Sequence, residues 1–163
     1  MTIRPMDAES STSAPARPGT FGIVIVAAGV LLASWIGFGR FLFGVGGSLT
    51  ATYALTLGVA VVVLHFFIGR GVFRAVRCGY RVRTATIGTT IAAWGCGVLL
   101  GMMIPDVTAT GLQTILTRGT EPGLGLVIGL SNPLGSIMLI MSVTAVVLAT
   151  IDSRGGPRVL DED

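Results

Sequence analysis

Four apolar stretches of about twenty residues, parted in the middle by one arginine-dense segment, constrain this chain more than any other feature. That segment, Arg70 to Arg83, reads RGVFRAVRCGYRVR and carries Arg70, Arg74, Arg77, Arg81 and Arg83. Apolar runs of this length exceed what a small soluble core can cover, and they match what a helix needs to cross hydrocarbon. Composition agrees: 12% of residues are charged and 52% hydrophobic, whereas a soluble domain is about one quarter charged. The fold expected is all-α, a polytopic membrane protein with four transmembrane helices arranged as two hairpins.

The spans are expected at about 21–38, 49–69, 84–104 and 124–151, with a basic loop at 70–83 and an outer loop at 105–123. Ahead of them, residues 1–20 are polar with scattered charge and read as a disordered tail. A long polar stretch before a long apolar run argues for a retained first span over a cleaved secretory signal. Residues 152–163 read as a loose, charged C-terminal tail. If the 70–83 loop lies inside, that side holds Arg4, Arg17, the five loop arginines, Arg154 and Arg158, against Arg40 and Arg118 outside. Cytoplasmic loops carry the excess of basic residues, so both termini are expected in the cytoplasm and the protein in the cell membrane. All basic residues are arginine; with abundant Ala, Gly and Val this points to a GC-rich bacterial genome.

Small residues recur every four positions along several spans. Gly29, Ala33 and Gly37 line the first; Ala85, Thr89, Ala93, Gly97 and Gly101 line the third; Gly125 and Gly129 open the fourth. Such stripes let helix backbones approach closely, and the small-residue third span is expected at the bundle centre. The same glycines form GxGxxxG strings, but a dinucleotide site needs a strand–turn–helix context that membrane spans do not offer. In the basic loop, Arg70, Arg74, Arg77 and Arg81 step by four, three and four, beside an apolar face of Val72, Phe73, Val76 and Tyr80. That pattern suits a short helix lying in the headgroup layer, its arginines meeting anionic lipid or a partner protein. In the outer loop, Leu112, Ile115 and Leu116 suit a short surface helix ahead of Gly119 and Pro122.

Residues that could carry chemistry are few. The fourth span contains Ser131, Asn132 and Pro133 between glycines, which predicts a kinked or broken helix with Asn132 as a polar intramembrane group. Such an element can present amides to a substrate; its plainer reading is a capped kink or an interhelical hydrogen bond. His65, the single histidine, is a candidate haem ligand or proton relay, or simply a satisfied polar group. Cys78 and Cys96 form no framework, and no Cys/His cluster exists for a metal. The apolar spans hold no Asp, Glu, Lys or Arg, so proton-coupled transport through an embedded carboxylate is disfavoured, as is acid–base catalysis. The basic cluster is where a topology signal belongs and gives no reason to expect nucleic acid.

The function expected is a non-enzymatic accessory or assembly subunit of a membrane complex, without cofactor, working as a homo-oligomer or against a membrane-protein partner. A small-solute transporter or channel subunit using a broken fourth helix is the alternative. A haem-binding electron-transfer subunit using His65 is the weaker one.

Overall fold

Residues that branch at Cβ or carry no polar atom fill the four runs, and in hydrocarbon a backbone without water must bond to itself. Helix is the result. The computed structural model describes residues 19–155, so the expected tails at 1–18 and 156–163 lie outside the described residues. Helix α1 spans Thr20–Phe38 and runs into a 3-10 turn, Gly39–Phe43, which closes on Gly44 at φ +71°. Helix α2 is continuous over Thr50–Arg77, with one widened π turn at Ala54–Gly58. Helix α3 spans Thr84–Met103 and helix α4 spans Gly123–Gly155. All four are long and apolar enough to cross a membrane.

The helices pack in a ring, α1 on α2, α2 on α4, α4 on α3, and α3 more lightly back on α1. The third span is therefore one side of a ring and does not occupy the centre. One apolar cluster, Leu32, Ile36, Val61, Leu100, Ile104 and Met138, fills the half of the ring near the α2 N-terminus. A second, Ile25, Ile68, Val72, Ala145 and Ala149, fills the other half.

Four further expectations are corrected. Residues 70–77 of the basic segment continue α2, where an in-plane helix was expected, because Val72 and Ala75 face the bundle and are fully buried. Gly71 sits against Ala149, close enough that a Cβ would lie 2.9 Å from the Ala149 methyl. Only Cys78–Arg83 form the turn, through Gly79 at φ +77°, a conformation that L side chains resist. The fourth span is one helix of 33 residues with Pro133 inside it, and no break appears. The helix packs on both α2 and α3, while a proline removes only one backbone bond. Its C-terminal turn also takes in Asp152–Gly155, expected in the tail. In the outer loop, Asp106–Thr108 and Gly111–Gln113 pair as a two-stranded antiparallel hairpin, β1 and β2, in place of a surface helix. Ala109 and Thr110 make the turn between them, and Gly111 follows it at φ +110°.

Levels along the bundle follow from contacts. At one end Gly19 and Gly22 lie against Phe73, and Arg83 meets Asp152. At the other, Tyr53, Ile104 and Ser131 share one groove. Ser131 and Asp152 are therefore separated by about 31 Å at 1.5 Å per helical residue, the thickness of a hydrocarbon core. Arg70, Arg74, Arg77, Arg81, Arg83 and Arg154 gather at the first level with Asp152; Arg40, Asp106, Arg118 and Glu121 gather at the second. We term these the arginine end and the hairpin end.

Candidate functional site

The polar side chains of the bundle form three internal nodes, and the first is at the hairpin end. Arg40 lies in the 3-10 turn after α1 and Asp106 opens β1, and both are fully buried. Arg40 Nη1 stands 3.2 Å from Asp106 Oδ2. The carboxylate also accepts from the N–H groups of Gly47 (2.9 Å), Leu49 (2.8 Å) and Val107 (2.8 Å), and from Thr50 Oγ1 (2.8 Å). Burial alone would raise the Asp106 pKa, but the Leu49 N–H, the Thr50 hydroxyl, the Gly47 N–H and Arg40 together hold it below the ordinary carboxylate value. Arg40 spends its other donors on the carbonyls of Pro105 and Gly37, and its guanidinium stacks 4.9 Å above the Tyr53 ring. Arg40 Nε is left without a partner. Gly47 is required here, since any Cβ would collide with the Val107 carbonyl. The node ties the α1–α2 connection to the end of α3.

The second node is His65, fully buried on α2. Its Nδ1 bonds the Val61 carbonyl at 2.8 Å, and Trp94 Nε1 donates to its Nε2 at 2.9 Å. An indole N–H only donates, so Nε2 accepts and Nδ1 carries the proton: the ring is neutral. Both nitrogens are occupied by protein, and Gly29 packs on the ring's Cβ. Haem ligation through His65 would have to break the bond to Trp94, so the geometry argues against it.

The third node is at the arginine end, where fully buried Asp152 accepts from Thr86 Oγ1 at 2.6 Å and from the Arg83 N–H at 3.2 Å. Arg83 Nε lies 3.2 Å from its other oxygen, but the Arg83 side chain is 43% exposed. This node fastens α4 to the start of α3.

Of the expected packing residues, Gly29 faces His65, Ala33 is buried, and Gly37 faces the Ala54 methyl on α2. Ala93 is fully buried; Gly97 receives Leu32 and Met138, and Gly101 receives the Trp35 indole, whose N–H donates to the Val98 carbonyl at 3.0 Å. Gly125 and Gly129 meet no neighbouring helix. They lie on the part of α4 that overhangs α3, so their GxxxG spacing builds no interface within the chain.

Asn132 and Pro133 are both exposed. Asn132 lines an open lateral groove of about 230 Å³ with Tyr53, Ile104, Pro105, Ser131 and Ser136 among its walls. Since Pro105 follows α3 directly, Asn132 sits at the hairpin-end interface and not at mid-membrane. Neither its amide nor the Tyr53 hydroxyl bonds another described residue, whereas Ser131 and Ser136 bond back to helix carbonyls. Arg70, Arg74, Arg77 and Arg81 are all exposed at the opposite end, and Arg77 stacks 5.6 Å over Phe73.

Sequence reasoning missed Arg40, Asp106, Trp94 and Asp152. Their signal was weak: Arg40 is a lone charge among GRFLF, and its partner lies 66 positions away in the chain. No family model, curated protein or solved structure matches the chain.

Proposed function

We propose that this protein is a non-enzymatic accessory or assembly subunit of a membrane complex, inserted with its arginine end and both termini in the cytoplasm. The supporting observation is where the polar groups are spent. Each buried polar side chain among the described residues bonds within the chain, with Arg40 Nε the one buried nitrogen left over, so the interior offers little with which to receive a substrate. The Asn132 amide and the Tyr53 hydroxyl, which bond no other described residue, line the lateral groove instead. An outward amide next to lipid is favourable when another helix supplies its hydrogen bond. Six arginines against one aspartate at a single end support the orientation.

A photo-crosslinking amino acid placed at Asn132 in living cells, followed by mass spectrometry, tests this role. The expected outcome is one abundant adduct with a different membrane protein. An adduct only with a second copy, joined with solute flux that Asn132→Leu abolishes, would overturn it in favour of an oligomeric transporter.

A further inference from the structure

A second groove, of about 460 Å³, runs between α1 and α2 at the arginine end. Its floor is backbone: a Cβ on Gly22 or on Gly69 would stand 2.6 Å from the other residue's carbonyl oxygen. Ile23, Val26, Ala27, Phe66 and Phe73 form the walls, and Arg70 is the charged residue lining it. Arg77 lies across the Phe73 ring and holds that wall in place.

Arg70 is in an unusual position for a cation. Phe73 is level with Gly19 and Gly22, at the very start of α1, so Arg70 lies about 4.5 Å deeper along α2. Cα–Cβ bonds tilt toward a helix's N-terminus, and the α2 N-terminus is at the far end. The side chain of Arg70 thus leaves its backbone heading into the hydrocarbon, alongside the apolar groove. It has no ion pair or hydrogen bond with any described residue, and no acid among the described residues lines the groove. Arg74, one turn nearer the headgroups on the same face, is exposed and equally without an acid among the described residues. A cation so placed is stabilised by an anion drawn down to it, and the surrounding medium supplies one that brings its own apolar chain.

We propose that this groove binds an anionic glycerophospholipid, its phosphate held between Arg70 and Arg74 and one acyl chain laid over the Gly22–Gly69 contact. The charge is complementary, the walls are apolar, and the groove opens directly onto the bilayer.

Native mass spectrometry of the full chain, from mixed micelles with equal phosphatidylglycerol and phosphatidylcholine, tests the site. Retained phosphatidylglycerol should exceed phosphatidylcholine, and Arg70→Gln should cut that preference about fivefold, the scale of one arginine near a charged surface. Ala27→Phe, which fills the groove at an exposed position without altering charge, should abolish retention of either lipid. Arg154→Gln, at the same end but outside the groove, should change nothing. Equal losses from Arg70→Gln and Arg154→Gln would mean diffuse attraction and overturn the proposal. So would undiminished retention in Ala27→Phe, or a protein found in place of lipid in the unaltered chain. Should Arg70→Gln fail to fold, judged by size-exclusion profile, the Ala27→Phe comparison still decides.

Discussion

The two ends of the bundle use charge in opposite ways. At the hairpin end, Arg40 and Asp106 are fully buried and paired, the carboxylate meeting donors from several segments, so charge there serves as a fastener. At the arginine end the guanidinium groups stay outside, and one buried acid, Asp152, draws on a half-exposed Arg83. Charge taken out of water is bound to cost unless every lone pair is met, while charge left in the interface remains available to lipid or partner. The difference separates an end whose charge is buried from an end whose charge is exposed.

The sharpest way to break that comparison is to remove the acid at each end. Asp106→Ala leaves Arg40 buried without its counter-charge and is expected to cost about 3–5 kcal/mol, read as the loss in thermal or denaturant stability in detergent. Asp152→Ala should cost about 2 kcal/mol, because Arg83 can turn to water and only charge-assisted hydrogen bonds are lost. Equal losses at the two ends would erase the distinction.

Glycines give the next smaller effect. Gly101→Ala pushes a methyl into the Trp35 indole and should cost about 1–3 kcal/mol by overpacking. Gly129→Ala meets open space and should be neutral or stabilising by up to about 1 kcal/mol, as expected within a helix. A large loss from Gly129→Ala in cell membranes but not in detergent would place a partner helix on that overhang.

The smallest effect at neutral pH is that of acid. The folded Asp106 carboxyl is held below its unfolded value of about 3.9, so its contribution is present above that pH and is lost only as pH falls through the lower folded value. Amide hydrogen exchange at Gly47 and Leu49 should therefore stay slow through pH 4 and accelerate below it. Acceleration already at pH 5 would mean that the hairpin-end node is not holding the α1–α2 connection.

Much of the architecture was legible in the residues. The stripes at Gly29, Ala33, Gly37 and Ala93, Gly97, Gly101 lie where helices of this chain touch, because small-residue spacing reports directly on backbone approach. The identical spacing at Gly125 and Gly129 touches no other helix of the described residues, since spacing says which face is small and not which face is covered. Pro133 misled for a related reason: the cost of one missing backbone bond is local, while α4 packs on two other helices. Arg40 was counted as one outer charge, when its environment is assembled from residues over sixty positions distant.

By itself the sequence determined what depends on length and local chemistry: four helices able to cross hydrocarbon, their approximate limits, and the gathering of arginines between the second and third. Those properties follow from a backbone that must bond to itself and from charges that avoid apolar surroundings. Only the tertiary structure decided which polar groups meet. It set Asp106 on Arg40, Trp94 on His65 and Asp152 on Arg83, made a hairpin of 106–113, and carried α2 through to Arg77. Each of these rests on contacts between segments far apart in the chain, whose energies exist only once the helices are side by side.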